Sequence, residues 1–135
     1  MKRLILIIML LFVSLYASEL EVTEFKKLAN DYHAVINPIF DFDKQYCTAI
    51  KIEFPNCQLL ALDQKIFKKE IINKNECYLY ISHKEHELTF KTTQNRSVTV
   101  KVPRNGLIMG MVYYIKLEMK DIQNESTINN LNINK

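Results

Sequence analysis

The sequence lacks the features that mark several functional classes. Beyond its first residues it has no block of lysine and arginine that could follow a phosphate backbone, so nucleic-acid binding is disfavoured. No long helical hydrophobic period follows residue 17, which disfavours a helical domain. No apolar run reaches the roughly 20 residues that span a hydrocarbon core, so we expect no membrane span once the leader is removed.

The first 17 residues have the pattern of a secretory signal peptide. Lys2 and Arg3 form a basic start, an apolar run extends from Leu4 to Leu15, and Ala17 is a small residue at a plausible cleavage site. No cysteine follows this run closely, which argues against lipid attachment. We therefore expect a periplasmic or secreted protein that is cleaved near Ala17.

Removal of residues 1–17 leaves 118 residues, which is enough for one domain with its own core. We expect residues 18–120 to form this domain. Residues 121–135 hold too little apolar content to pack, so they predict a disordered, Asn-rich tail. Because Lys2 and Arg3 leave with the leader, 16 of the 18 basic residues remain against 15 acidic residues, a formal charge of +1.

Period-two alternation between residues 76 and 103 predicts a β-meander. Its three strands are Cys77–Ile81, His86–Lys91 and Arg96–Val102, and Ser82–Glu85 is the tight connection between the first two. In the second and third strands apolar side chains alternate with polar or charged ones, as in strands that bury one face.

Other parts of the chain predict further strands. Thr23–Leu28 fits either a short helical turn or an edge strand. The stronger segments are His33–Ile39, Cys47–Phe54, Gln58–Leu62, Ile66–Ile72 and Met111–Met119. Short strands at regular intervals predict an all-β sandwich or barrel.

The three cysteines, Cys47, Cys57 and Cys77, bear on the redox environment. An exported protein can form disulfides, and an odd count leaves at least one thiol over. Cys77 shares a predicted inward face with Leu79 and Ile81, and Cys57 could lie opposite it. A Cys57–Cys77 disulfide is one interpretation, and three buried free thiols are the other.

Candidate catalytic and metal-binding residues are few. His83 and His86 flank the predicted connection, but two histidines fall short of the four ligands of structural zinc, so we expect no metal and no cofactor. We expect His86 at the core edge and His83 in solvent. Ser82 beside His83 does not predict a hydrolase, because neighbours in an extended strand point to opposite sides. The chain is thus expected not to be an enzyme.

Binding residues are expected on a sheet face or in a loop. Alternation directs Tyr78, Tyr80 and Tyr114 outward, where they would form an exposed aromatic patch for a partner protein or a glycan. The alternative is that loops cover these large side chains. Ser82, His83, Lys84 and Glu85 are the candidate binding loop, and Asp41 with Asp43 reads as an acidic turn.

Several segments together resemble PEGA-type, carboxypeptidase-regulatory-like β-sandwich domains of exported bacterial proteins. The segments that carry the resemblance are Phe25–Ala34, Cys47–Ile52, Glu85–Phe90, Ser97–Val102 and Tyr113–Glu118. The resemblance implies an antiparallel immunoglobulin- or transthyretin-like β-sandwich of about 7–8 strands after a signal-peptide helix. It also implies a role in display or docking, with no catalytic residues.

The expected function is therefore that of an exported, non-enzymatic binding or docking module that acts through a β-sheet face or edge. Its partner would be another envelope protein or a glycan. The alternative is a small periplasmic inhibitor or immunity-type protein that blocks a secreted enzyme with a loop such as Ser82–Glu85 or Arg104–Gly106. The sequence does not predict an oligomeric state.

Overall fold

The computed structural model describes residues 18–121. The predicted signal peptide, residues 1–17, lies outside the described residues, as does the predicted tail apart from Asp121. The packing described below belongs to one compact unit, Glu21–Glu118. Between residues 18 and 121, no helical segment has the length and hydropathy of a membrane span.

The fold is all-β, as the alternation predicts. The eight strands of the described residues are β1 (Ser18–Leu28), β2 (Thr48–Glu53), β3 (Ala61–Leu62), β4 (Lys68–Asn73), β5 (Glu76–Ile81), β6 (Glu87–Lys91), β7 (Ser97–Lys101) and β8 (Val112–Asp121). A single helical turn, α1 (His33–Ile36), follows β1, and a 3-10 turn, Cys57–Leu59, precedes β3.

The strands form two sheets. The larger has the order β1-β8-β2-β5-β4, and the smaller has the order β3-β6-β7. One pair departs from the expected antiparallel arrangement, because β2 and β8 run parallel, with Ala49 opposite Val112. The chain reaches β8 from the smaller sheet through residues 102–111, and so it enters β8 at the end where β2 begins.

The predicted meander between residues 76 and 103 is wrong at its first connection. β5 pairs with β2 and β4 in the larger sheet, whereas β6 pairs with β7 in the smaller one. Ser82–Glu85 therefore crosses between sheets instead of closing a hairpin. Alternation shows that β5 and β6 each bury a face, but two facing sheets satisfy that pattern as well as one hairpin does.

The facing sides of the two sheets form the main core. Ile50 and Ile52 of β2 lie opposite Leu79 and Cys77 of β5, which places all four on one face of the larger sheet. The side chains of this core that are fully buried include Ile50, Ile52, Cys77, Leu79, Ile81, Leu88, Phe90 and Ile115. The alternation therefore identified the core-facing positions of β2, β5, β6 and β8 correctly.

The opposite side of the larger sheet carries a second, smaller core. Residues 29–47, here called the β1–β2 connection, fold back over β2, β5 and β8. The buried members of this cluster are Ala34, Cys47, Ala49, Tyr78, Tyr80 and Val112, and Leu28, Ile39 and Phe67 pack at its margin. A third layer thus covers part of the sandwich.

The strand predicted at His33–Ile39 is wrong, because its first residues form α1. The backbone N–H groups of Val35 and Ile36 bond to the carbonyl of Tyr32. Asp31 Oδ1 accepts a hydrogen bond from the His33 N–H at 2.9 Å, an Asx turn that leads into the helical turn. The helical turn forms despite the β-branched side chains of Val35 and Ile36.

Other boundaries differ in detail. The Thr23–Leu28 alternatives resolve as an edge strand, since it belongs to β1 at one end of the larger sheet. The strand predicted at Gln58–Leu62 shrinks to the two residues of β3 after the 3-10 turn. The turn predicted at Asn73–Asn75 connects β4 to β5, and a bulge near Asn73 accommodates it.

Candidate functional site

The predicted aromatic binding face is covered. Tyr78 and Tyr80 lie on the outer side of β5, as alternation requires, yet only 7% and 1% of their surfaces are exposed. The expectation of an exposed patch at these two residues is wrong, because the β1–β2 connection packs over them. The alternative interpretation, loop cover of large side chains, is the one the structure supports.

Tyr114, the third residue of that predicted face, is half-buried and already engaged. Its hydroxyl donates a hydrogen bond to the Glu53 carboxylate, and Lys26 Nζ lies 5.2 Å from its ring centroid. The Glu53 bond, and then burial, raise the pKa of Tyr114. Tyr114 thus has different neighbours from Tyr78 and Tyr80, which the β1–β2 connection covers. The three tyrosines do not form one exposed surface.

Four side chains, here called the anchor cluster, attach the β1–β2 connection to the larger sheet: Asp31, His33, Glu70 and Tyr78. The Tyr78 hydroxyl donates to Asp31 Oδ2 at 3.0 Å. His33 Nε2 lies 3.0 Å from Glu70 Oε2, and the His33 ring stacks on the Tyr78 ring with centroids 4.2 Å apart. The sequence analysis missed this cluster, because its members come from three separate segments.

The electrostatics of the anchor cluster favour protonation of Tyr78 and of its neighbour Tyr80. Burial, and then Asp31, raise the pKa of Tyr78. Burial, and then Glu70 and Asp31, raise the pKa of Tyr80 to about 12. The neutral Tyr78 hydroxyl, which donates to the Asp31 carboxylate, suits attachment, whereas the buried Tyr80 hydroxyl has no hydrogen-bond partner among the described residues. Across residues 18–121, no three His, Cys, Asp or Glu side chains are arranged to hold a metal ion.

The predicted binding loop, Ser82–Glu85, is held by the acidic turn. The Ser82 hydroxyl lies 3.4 Å from Asp41 Oδ2, and Lys84 forms an ion pair with Asp43. The backbone N–H of Lys84 also bonds to Ser82 Oγ at 3.2 Å. The loop is therefore a fixed connection between the sheets, with its serine and lysine directed at the β1–β2 connection.

The two histidines near this loop have the reverse of the burial that we predicted from the sequence. His86 is exposed, whereas His83 is half-buried. β6 begins only at Glu87, so His86 precedes the strand and is not held on the core face of Leu88 and Phe90. The expectation for this pair is wrong for that reason.

Asp41 organises the turn at residues 41–45. Its Oδ1 accepts hydrogen bonds from the N–H groups of Asp43 and Gln45 at 2.9 and 3.0 Å. The bond from Gln45 contributes most to lowering the Asp41 pKa, and the bonds from Asp43 and Ser82 and the charge of Lys84 also lower it. Asp41 therefore works as a structural carboxylate that joins this turn to the Ser82–Glu85 connection.

The cysteines separate into a disulfide and one thiol. Cys57 and Cys77 form a disulfide with Cα atoms 6.1 Å apart, which is the pairing that the shared inward face of Cys77 suggested. Cys47 is free and buried. Burial, and then Asp41, raise the pKa of the Cys47 thiol to about 11, so it is an unreactive thiol at neutral pH.

One set of exposed hydrophobic side chains lies on the connections, apart from Ile71 and Ile72, which are exposed on β4. We call it the apolar surface: Val35, Ile36, Phe40, Tyr46, Ile108 and Met109, each between 46% and 73% exposed. The Phe40 and Tyr46 rings lie 5.0 Å apart. Exposed apolar side chains that occur in a group mark interaction sites more often than single ones do.

Two connections are bonded together to form the apolar surface. The Gly110 N–H donates to the Cys47 carbonyl at 3.1 Å, and the Thr48 hydroxyl donates to the Ile108 carbonyl at 2.7 Å. Val35 packs so closely over Gly110 that a Cβ there would lie 3.3 Å from Val35 Cγ2. The β1–β2 connection and residues 102–111 thus present their hydrophobic side chains from one joined structure.

A cleft of 740 Å³ adjoins this surface at the start of α1. Its walls include Lys27, Asp31, Tyr32, His33 and Ile36. Tyr32 and Ile36 are exposed, whereas Asp31 and His33 belong to the anchor cluster and bond to Tyr78 and Glu70. The cleft therefore extends the apolar surface toward β1.

Comparison of the chain with protein-family models, with curated proteins and with solved structures finds no match. The resemblance to PEGA-type domains accordingly stays a prediction. What the molecule does must be argued from its own surfaces, and the apolar surface groups six of the exposed hydrophobic side chains on two joined connections.

Proposed function

We propose that the protein is an exported, non-enzymatic binding module that docks another envelope protein on the apolar surface. The observation that supports this proposal most directly is the group of six exposed hydrophobic side chains on two connections that are hydrogen-bonded to each other. The leader pattern and the Cys57–Cys77 disulfide support export, because disulfides persist in oxidising compartments. The role agrees with what the resemblance to PEGA-type domains implies.

The composition of the apolar surface favours a protein partner over a glycan. Four of its six members, Val35, Ile36, Ile108 and Met109, are aliphatic side chains with no hydrogen-bonding group. Protein interfaces combine an apolar centre with a polar rim, and the exposed Asp43–Lys84 ion pair supplies charge where the β1–β2 connection meets Ser82–Glu85. A partner that presents its own apolar side chains fits this arrangement.

The fixed attachment of the β1–β2 connection supports binding in another way. The anchor cluster holds its first part, and Asp41 with Ser82 holds its later part. A surface that is ordered before the partner arrives loses less conformational entropy on binding than a free loop does. The same attachment uses the polar groups of Asp31, His33 and Glu70, which supports a role without catalysis.

Site-specific photo-crosslinking in intact cells tests the proposal. A photoreactive residue at position 36 or 109 is expected to give one discrete adduct, identified by mass spectrometry. The matched control is position 94, an exposed glutamine in the β6–β7 turn, which should give none. An Ile108→Glu substitution should abolish the adduct from position 36. Absence of an adduct from both test positions, or an equal one from position 94, would contradict a docking role for this surface.

A further inference from the structure

β7 is a sheet edge whose one charged side chain, Lys101, lies at its end. It is the last strand of the smaller sheet, and its register with β6 runs unbroken over five residue pairs, from Glu87–Lys101 to Lys91–Ser97. The other edges differ: β1 and β4 carry several charged residues, the register of β4 with β5 shifts near Asn73, and β3 has only two residues. Charges, bulges and short length are the devices that keep edges from pairing.

The direction of the backbone groups of β7 follows from its hydrogen bonds. The Val102 N–H donates to His86 O, and the Thr92 N–H donates to Arg96 O, both at 2.9 Å. Hydrogen-bonded pairs alternate along an antiparallel ladder, so Val98 and Val100 also bond toward β6. Ser97, Thr99 and Lys101 therefore direct their N–H and C=O groups away from β6, where no strand of residues 18–121 pairs with them.

This edge is complementary to itself. When two copies of β7 run antiparallel about a two-fold axis at Thr99, each Thr99 faces the other, and Ser97 faces Lys101 of the second copy. The ladder then has three hydrogen-bonded pairs with two bonds each, six bonds in all. The one charged side chain of the strand, Lys101, meets a serine, so no like charges face each other.

The side chains and the ends of β7 agree with this pairing. Val98 and Val100 are half-buried on the core side. In the paired strands Val98 of one copy would contact Val100 of the second copy, and Val100 would contact Val98. The residues on the opposite face, Ser97, Thr99 and Lys101, remain in solvent. Pro103 has no N–H and cannot extend the ladder beyond Lys101.

We propose that a second copy of this chain docks along β7, in antiparallel register centred on Thr99, and joins the two smaller sheets into one of six strands. This interface is distinct from the apolar surface, which stays free for another protein. A ladder of five residues buries little area, so the dimer forms at concentrations of about 0.1–1 mM. The symmetry is the isologous two-fold that is commonest among homo-oligomers.

Opposite charges at position 99 test the register directly. Thr99→Lys and Thr99→Glu each place like charges across the two-fold axis, and each is expected to weaken dimerisation at least about fivefold. An equimolar mixture of the two variants is expected to form a heterodimer at least about fivefold tighter than either homodimer. Sedimentation equilibrium up to about 1 mM and native mass spectrometry give these constants. Thr93→Lys, in the exposed β6–β7 turn, is the matched control and should dimerise like the unsubstituted chain.

Amide hydrogen exchange gives a second readout. In the unsubstituted chain the amides of Ser97, Thr99 and Lys101 should become protected as concentration rises, while those of Val98 and Val100 are protected throughout. A chain that stays monomeric at about 1 mM overturns the proposal. So does a dimer that Thr99→Lys leaves unchanged, or a mixture of the two charge variants that fails to pair. Because both variants change the same exposed side chain, a folding defect cannot produce rescue in the mixture.

Discussion

His33 Nε2 lies 3.0 Å from Glu70 Oε2, and this contact joins the helical turn α1 to the edge strand β4. The two residues are separated by 37 positions in the chain. The stacked His33 and Tyr78 rings reinforce the contact, with an interplanar angle of 13°. The apolar surface proposed for docking therefore rests on a connection that side chains fasten to the larger sheet.

Replacement of His33 is expected to loosen that connection. His33→Ala removes the Glu70 contact and the ring stacking on Tyr78, and it should lower the free energy of unfolding by about 1–2 kcal/mol. Urea denaturation at pH 7 measures the change. His86→Ala is the control, because His86 is exposed and should shift the free energy by less than about 0.5 kcal/mol. Equal effects of the two substitutions would contradict the anchoring role.

Asp41 is expected to carry part of the acid sensitivity. Its carboxylate accepts bonds from Asp43, Gln45 and Ser82, and a neutral amide oxygen accepts such bonds more weakly, so Asp41→Asn should lower the free energy of unfolding at pH 7. Asp43→Asn, which removes only an exposed ion pair with Lys84, should have less than half that effect. Denaturation of both variants at pH 7 provides the comparison.

The pH dependence of the Asp41 effect has a definite sign. The folded protein lowers the Asp41 pKa, so the stabilisation is present above the ordinary carboxyl pKa of about 4 and is lost as the pH falls through the lower folded value. The difference between the unsubstituted chain and Asp41→Asn should therefore shrink below about pH 4. A difference that stays constant from pH 7 to pH 2 would show that the charge of Asp41 contributes nothing.

The sequence predicted local features of the fold well. Side chains that point into the core of β2 and β6, such as Ile52 and Phe90, follow from period-two alternation, because alternate residues of a strand face the same layer. The Cys57–Cys77 disulfide was one of two interpretations that the sequence left open, and the inward face of Cys77 was its basis. The turn at Asn73–Asn75 was also predictable, since asparagine is a common turn residue.

Features that depend on distant segments could not be predicted. Alternation directed Tyr78 and Tyr80 outward correctly, but it holds no information on whether another segment covers that face. The cover includes α1, whose signal was present in Asp31 before the first turn and Pro38 after the last one but competed with β-branched residues. The apolar surface was missed because its hydrophobic residues lie in connections, where periodicity gives no direction.

The alkaline limit of stability should depend on Tyr80. The folded protein raises the Tyr80 pKa to about 12, so its contribution is fully present below the ordinary value of about 10 and is lost between pH 10 and 12. Tyr80→Phe removes this ionisation and should reduce the loss of unfolding free energy over that interval by on the order of 2 kcal/mol. Denaturation curves at pH 9, 10, 11 and 12 test this. Tyr32→Phe, at a 62% exposed position, is the control and should leave the loss unchanged.

Reduction of the Cys57–Cys77 disulfide should destabilise the domain. The bond links residues 20 positions apart, and a loop of that length restricts the unfolded chain enough to contribute about 3 kcal/mol. The double variant Cys57→Ala/Cys77→Ala should therefore unfold at a lower urea concentration than the oxidised chain, with some further loss from the missing sulfur atoms.

A reductant separates the two contributions to that loss. Dithiothreitol should lower the free energy of unfolding of the unsubstituted chain by about 3 kcal/mol and leave that of the double variant unchanged. Cys47 does not complicate the comparison, because it is free in both proteins. If the reductant lowers the free energy of unfolding of both proteins equally, the effect does not come from the disulfide. The bond would then contribute no stability to the folded domain.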